Sequence, residues 1–258
     1  MPTNDKTPAK IALVTGGSRG LGRATALSLA ENGNGVIITY VSNKAAADEV
    51  VTAIEALGQK AVALPLDSGK VSTFAAFATD LKRVLAETWT VDHFDFLVNN
   101  AGIGIYAPFA QTTEAQFDEL LNVQFKGVFF LTQTLLPLIA DGGRIVNLSS
   151  GLTRFSNAGY VAYASMKGAI EVLTRYLAVE LGPRKIAVNT FAPGAIATDF
   201  GGGVVRDDAN INAHIASITA LGRVGLPDDI GPAIASLLSE DNRWINAQRI
   251  EASGGVML

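Results

Sequence analysis

A doubly wound, parallel α/β sheet with helices on both faces is the fold class predicted by this sequence, and three observations predict it. Strand-like and helix-like segments alternate from residue 10 to the C-terminus with no linker and no long repeat. The first apolar run breaks into a glycine-rich turn that opens a helix, the start of a nucleotide-binding βαβ unit. Hydrophobic residues make up 48% of the 258 residues and charged residues only 17%, as expected of strands buried on both faces or of a buried subunit interface.

Residues 10–15 (KIALVT) form the first predicted strand and run into Gly16, Gly17, Ser18, Arg19, Gly20, Leu21 and Gly22, before a helical pattern over 23–32. A second strand is predicted at 36–41, an amphipathic helix at 44–57 and a short third strand at 61–64, ending near Asp67. Helix over 71–87 precedes a fourth strand, 94–98, that stops at Asn99, Asn100, Ala101 and Gly102. One long helix is expected over 114–139, interrupted by Gly127 and closed by Asp141, Gly142 and Gly143. Strands follow at 145–148, 186–191 and 248–251, and helices at 160–181 and 227–238. Residues 199–212, with glycines at 201, 202 and 203, read as a mobile loop. The expected organisation is a flexible tail at 1–9 and one catalytic domain at 10–258.

Several function classes are excluded or disfavoured. The formal charge of -4 with scattered Lys and Arg gives no nucleic-acid footprint. With no Cys and two distant histidines, His93 and His214, disulfides and thiolate metal sites are absent and no metal site is expected. No apolar run approaches the ~20 residues needed to span a bilayer, and residues 1–10 do not read as a signal peptide, so a cytoplasmic enzyme is expected.

The glycine-rich turn does not fit a P-loop, because Arg23 and Ala24 follow Gly22 where Lys and Ser or Thr are required. Gly16, Gly20 and Gly22 instead give a GxxxGxG spacing suited to a dinucleotide pyrophosphate at a helix N-terminus. The second strand ends at Tyr40, followed by Ser42, Asn43 and Lys44, with no carboxylate before Asp48 to grip a ribose 2′-hydroxyl. With Arg19 in the turn, the pattern favours NADP over NAD. Tyr163 and Lys167 lie one helical turn apart, a phenol beside an ammonium, after the paired Ser149 and Ser150 at a strand end. An ammonium so placed is expected to lower the phenol's pKa and suit it to proton transfer. Tyr160 lacks such a partner, since Ala164 follows it by four.

These residues together resemble the short-chain dehydrogenase/reductase family, in its bacterial 3-oxoacyl-reductase-like branch. The matching segments are TGGSRGLG at 15–22, Asp67, NNAG at 99–102, Ser150, YASMK at 163–167, Pro193-Gly194 and EASGG at 251–255. The resemblance covers residues 10–258 and implies a seven-stranded Rossmann sheet and an NAD(P)-dependent carbonyl or alcohol oxidoreductase. By family role, Tyr163 donates the proton, Ser150 holds the substrate oxygen, and Lys167 tunes Tyr163 and holds the nicotinamide ribose. The family spacing of thirteen residues from serine to tyrosine selects Ser150 over Ser149. Asp67 is expected at the adenine amino group, Asn99 with Ala101 and Gly102 at the cofactor ribose region, and Ile196 and Thr198, after Pro193 and Gly194, at the carboxamide. Gln124 stands where the family carries a catalytic Asn that holds a relay water, and is carried forward as a candidate.

The expected function is an NADPH-dependent ketoreductase acting on a small-molecule ketone or 3-oxoacyl carbonyl. Alternatives are an NAD(P)-dependent alcohol or sugar dehydrogenase working oxidatively and a non-catalytic NADP-binding sensor. Residues 103–106, 152–155 and 199–212 are expected to line the substrate pocket, with Arg154 and Arg206 as candidate anchors for an acidic group. The resemblance implies a homotetramer assembled through 114–139 and 160–181, and apolar residues there, among them Phe125, Phe129, Phe130 and Leu131, exceed what one sheet face needs.

Overall fold

In a computed structural model, residues 10–258 are described, so the expected tail at 1–9 lies outside the described residues. Seven strands form one sheet: β1 (Ile11–Val14), β2 (Gly35–Tyr40), β3 (Ala61–Pro65), β4 (Phe94–Asn99), β5 (Ile139–Leu148), β6 (Ala187–Pro193) and β7 (Arg249–Ala252). Their spatial order is β3-β2-β1-β4-β5-β6-β7, and every pairing is parallel. The chain leaves the β3 edge and re-enters beside β1, which makes the β1/β4 boundary the switch point where such sheets bind ligands.

Alternation along each strand divides the core. Ala12, Val14, Val36, Ile38 and Val98 pack with α1 (Gly20–Glu31), α2 (Lys44–Ala56) and α9 (Pro227–Leu237) on one face. Leu13, Ile37, Leu97, Ile145 and Val188 pack with α3 (Phe74–Val84), α5 (Gly127–Leu135) and α6 (Val161–Glu180) on the other. Gly231 lets α9 press on α1, since a Cβ there would stand 2.5 Å from the Ala24 carbonyl carbon.

Two expectations need correction. The long helix predicted over 114–139 is two helices, α4 (Glu114–Leu121) and α5, joined by a π-helical turn at Asn122–Lys126, and Ile139 already belongs to β5. An apolar helical period continued to 139 because Leu135, Leu136 and Leu138 precede a strand that is itself apolar; Ile139 pairs with Phe94, and a register irregularity between Phe94 and Phe96 accommodates the Asp141–Gly142 excursion. The segment 199–212 is not an irregular loop. A 3₁₀ turn at Phe200–Gly203 leads into α7 (Val204–Asp207) and α8 (Ala209–Ser217), the latter capped by the Asp208 carboxylate, which accepts from the Asn210 and Ile211 amides. Gly201, Gly202 and Gly203 all take positive φ, so they mark a sharp reversal between ordered turns.

Candidate active site

The segments predicted to hold the cofactor converge at the carboxyl ends of β1 to β6. Gly16 and Gly20 adopt left-handed φ values of 64° and 54°, and a Cβ at Gly22 would lie 2.3 Å from the Gly16 carbonyl oxygen. Only glycines allow the backbone to fold this closely before α1. No side chain caps the first amides of α1, and its first turn carries no acidic residue. Exposed N–H groups and the positive helix end therefore fit a pyrophosphate, and the open cradle at Gly20, whose nearest neighbour is the Thr198 methyl at 3.6 Å from a built Cβ, leaves room for it.

Asn100 holds this turn from the adjacent strand end: its Nδ2 donates to the Thr15 carbonyl at 2.8 Å and to the Gly16 carbonyl at 3.2 Å. The Thr15 hydroxyl accepts from the Asn100 and Ala101 amides at 3.0 and 2.9 Å, while the Thr39 hydroxyl accepts from the Gly16 amide at 3.1 Å. Thr15 and Asn100 lie within the matching segments at 15–22 and 99–102, which give neither a role of its own, and Thr39 carries no signal in the sequence.

Asn99, the other half of that doublet, departs from expectation. It is buried, and its Nδ2 donates to Thr132 Oγ1 at 3.0 Å and Asn147 Oδ1 at 2.8 Å. Asn147 in turn donates to Thr174 Oγ1 at 3.0 Å, and the Thr190 and Thr174 hydroxyls meet at 2.9 Å. The amide group of Asn99 thus anchors a polar ladder through β4, β5, β6, α5 and α6 and is not turned to the cleft. Strand alternation decides this: Asn99 sits on the face that packs against α5 and α6.

The remaining cofactor candidates line the same rim. Asp67 follows β3, where its Oδ1 accepts from the Gly69 amide at 2.9 Å and its Oδ2 pairs with Lys70 at 3.2 Å. Tyr40 ends β2 half-buried, Ser42 is exposed, and Asn43 caps α2 by accepting from the Ala46 amide at 3.0 Å. Ser18, Leu21 and Gly102 flank the cleft, Pro193 and Gly194 end β6, and Ile196 bridges to Gly225. Arg19 is exposed and its guanidinium lies 3.7 Å from Asp199 across the cleft.

The catalytic candidates stand on two elements. Ser150 follows β5, and Tyr163 and Lys167 occupy one face of α6, both buried. Alternation at the strand end sends Ser149 away to Glu171 at 2.7 Å and leaves Ser150 beside the Tyr163 phenol. Burial drives the Tyr163 pKa upward, and the Ser150 hydroxyl opposes it by hydrogen-bonding the phenolate form. Burial pulls the Lys167 ammonium down to about 7, while its Nζ donates to the Leu148 carbonyl at 2.8 Å and lies 5.7 Å from the Tyr163 ring centroid. The expected lowering of the tyrosine by the lysine is not what dominates in the protein alone: desolvation of both groups outweighs their attraction.

Gln124 occupies the π-helical turn and is fully buried. Its Nε2 donates to the Ile103 carbonyl, its Oε1 has no hydrogen-bonding partner among the described residues, and a Cβ at Gly102 would come within 2.9 Å of that oxygen. The extra methylene thus sends the amide under the 102–103 backbone.

Over the tyrosine stands Phe200, edge-on with ring centroids 5.9 Å apart, and Tyr106 packs edge-on against Tyr160 at 5.5 Å. The two proposed acid anchors are already paired: Arg154 binds Glu251 at 2.7 Å and the Val256 and Met257 carbonyls, and Arg206 binds Asp199 and Asp207. Among the described residues, no His, Cys, Asp or Glu group is arranged to hold a metal, and no helix is long and apolar enough to cross a membrane.

Comparisons with known proteins agree on a single kind of relative. The family described as enoyl-(acyl carrier protein) reductase matches residues 16–257. The tetrahydroxynaphthalene reductase PfmaG of Pestalotiopsis fici is 35% identical over 258 residues, covering 95% of this chain and 91% of that protein. Among solved structures, the promiscuous reductase LugOII, described as catalysing keto-reduction at C1 in lugdunomycin biosynthesis, is 40% identical with a TM-score of 0.91, covering 96% of this chain and 97% of its own. The angucycline C-6 ketoreductase LanV, solved with bound NADP, is 37% identical with a TM-score of 0.91, covering 96% and 95%.

Proposed function

Since the chain belongs to the short-chain dehydrogenase/reductase family, we propose that it is an NADPH-dependent ketoreductase that converts a neutral ketone to a secondary alcohol, with Tyr163 as general acid. The observation that carries this reading is the buried Ser150–Tyr163–Lys167 group beside a glycine cradle shaped for a dinucleotide. NADPH, when bound, supplies the hydride. The uncapped amides at 20–22 would hold its pyrophosphate and the exposed Arg19 would supply a cation for the 2′-phosphate, with Tyr40, Ser42 and Asn43 toward the adenosine side and Asp67 toward the base. Ala101, Gly102, Pro193, Gly194, Ile196 and Thr198 line the ribose and carboxamide end, where Asn99 contributes backbone alone.

As negative charge builds on the carbonyl oxygen, the Ser150 hydroxyl and the Tyr163 phenol donate hydrogen bonds to it, and the phenol gives up its proton. The raised Tyr163 pKa keeps that proton in place until the oxygen demands it. Lys167, with its pKa near 7, exchanges protons readily at neutral pH and stabilises the transient phenolate from one helical turn away. Gln124 supports the 102–103 backbone beneath the cofactor and is not assigned the relay of an Asn. Phe200, Tyr106 and Tyr160 give the entrance an aromatic lining, and with Arg154 and Arg206 neutralised by their own carboxylates the pocket favours an uncharged, aryl-type ketone.

The same proposal places the enzyme in the cytoplasm, where NADPH is available, and assembles it as a homotetramer. Val172 and Tyr176 on α6 and Phe129 on α5 are solvent-exposed in the single chain and border a groove of about 480 Å³, with Val179 exposed further along α6, an apolar face that an isolated subunit would leave wet. Absorbance at the reduced nicotinamide band, followed with NADPH or NADH over a panel of aryl and alkyl ketones, tests the reading. Turnover with NADPH on aryl ketones is expected; faster turnover with NADH, or oxidation of sugars in preference to any ketone reduction, would overturn it.

A further inference from the structure

Immediately behind Ser150 lies a chain of alternating charges that none of the roles above uses. Glu171 sits on α6 one turn beyond Lys167, so Tyr163, Lys167 and Glu171 form one stripe. Its Oε1 accepts from Ser149 Oγ at 2.7 Å, from Thr153 Oγ1 at 2.7 Å and from Arg249 Nε at 2.8 Å. Arg249 projects from β7, the edge strand, and its guanidinium spans four acceptors: Glu171, the Thr153 hydroxyl at 3.2 Å, the Glu251 carboxylate at 2.8 Å, and the backbone carbonyl of Ser150 at 3.2 Å. The Thr153 hydroxyl stands 2.9 Å from that same Ser150 carbonyl. Glu251 then pairs with Arg154, which donates to the Val256 and Met257 carbonyls.

The arrangement has a specific mechanical consequence. Ser150 and Tyr163 belong to different elements, β5 and α6. Lys167 and Glu171 tie the neighbouring Leu148 and Ser149 to α6, but neither of these bonds reaches Ser150 itself, whose place must be held to the fraction of an ångström that two donors on one oxygen require. The fork of Arg249 reaches both elements at once: the helix through Glu171 and the serine through its own carbonyl. A guanidinium suits this because its donors lie in a rigid plane, whereas an ammonium presents a single point. The side chains of Glu171 and Arg249 are 16% and 25% exposed, so the pair is shielded enough to hold its geometry without being sealed from water.

We propose that Arg249 and Glu171 are positioning residues of the reductase, which set Ser150 against Tyr163 by clamping the end of β5 to α6. The proposal rests on the assignment of Ser150 and Tyr163 as the catalytic donors. Neither residue of the clamp touches the substrate oxygen or the cofactor cradle at β1 and β4, so its effect belongs in kcat and not in the KM for NADPH.

A double-mutant cycle tests it, with NADPH-dependent reduction of one good ketone as the readout. Arg249→Met is expected to lower kcat by about 10-fold or more, to leave the KM for NADPH within about twofold, and to be partly rescued as Arg249→Lys, which keeps the charge on Glu171 but loses the fork. In a Ser150→Ala background, Arg249→Met should cost almost nothing further, because the group it positions is gone. The same loss in both backgrounds, or an unchanged kcat in Arg249→Met, would overturn the proposal. Thr153→Val, which removes the hydroxyl shared by Glu171, Arg249 and the Ser150 carbonyl while leaving the Arg249–Glu171 ion pair in place, carries the cycle if Arg249→Met does not fold, with the same two outcomes. A Ser150→Ala protein with undiminished kcat would instead refute the catalytic assignment on which the clamp depends.

Discussion

Replacing Lys167 with Met should make the protein more stable while destroying its activity. Burial takes the ammonium from 10.5 to about 7; at ~1.36 kcal/mol per pKa unit, keeping this lysine inside costs ~4 kcal/mol at pH 7. Methionine fills a similar volume without a charge, but it strands the Leu148 carbonyl that Lys167 Nζ now satisfies at 2.8 Å, a loss of ~1–3 kcal/mol. The balance is a gain of ~1–3 kcal/mol, or a rise of ~2–10 °C in the unfolding midpoint for a chain of this length. Between about pH 7 and 10.5 the unfolded chain binds the lysine proton more tightly than the folded one, so wild-type stability rises with pH across that window. Lys167→Met has no such slope. The variant's advantage should be widest at and below about pH 7, shrink as pH rises and reverse by about pH 10.5, where only the lost partner of the Leu148 carbonyl remains. Thermal unfolding of both, without cofactor, at pH 6.5, 8 and 9.5 measures this. A variant less stable than wild type at every pH, or a gap that does not change with pH, would refute the assignment of Lys167 as a desolvated ammonium.

Three further perturbations follow from the packing and the cleft. Gly231→Ala places a Cβ 2.5–2.9 Å from Ala24 atoms and should destabilise the fold by ~1–3 kcal/mol, read as a lower unfolding midpoint. Asn147→Leu removes one of two acceptors from the Asn99 amide and one donor from the Thr174 hydroxyl, which keep Thr132, Ile170 and Thr190 as partners, and denaturant titration should register a loss of ~1–3 kcal/mol. Arg19→Ala removes the cation proposed to meet the 2′-phosphate, and steady-state kinetics should show the KM for NADPH rising ~10–100-fold with little change for NADH.

Much of this architecture could be read from the chain because its signals are local. Each strand is a short apolar run closed by a turn residue, and the glycines at 16, 20 and 22 are demanded by backbone geometry within seven residues. The Tyr163–Lys167 spacing is equally local, one turn of α6. What escaped depends on which way a side chain points or on distant partners. Asn99 and Asn100 are chemically identical neighbours, and only the sheet decides that the first is buried in a polar ladder while the second holds the glycine turn. The apolar period over 114–139 ran through a π-helical turn and into β5 because leucine and isoleucine serve helix and strand alike. Three consecutive glycines make 199–212 read as a loop, while Asp208, a capping residue, marks the start of α8. The Arg249–Glu171 pair joins residues 78 positions apart, and no spacing rule reaches that far.

The proposed chemical step is the transfer of a proton from Tyr163 to a carbonyl oxygen as hydride arrives. It is tested most directly by single-turnover reduction of a ketone by NADPH with Tyr163→Phe beside wild type, NADPH affinity being measured separately by fluorescence. The variant should bind NADPH as tightly as wild type and reduce the ketone ~10²–10⁴-fold more slowly, the contribution expected of a placed general acid. A hydride-transfer rate within about threefold of wild type in a folded, NADPH-binding variant would contradict the account.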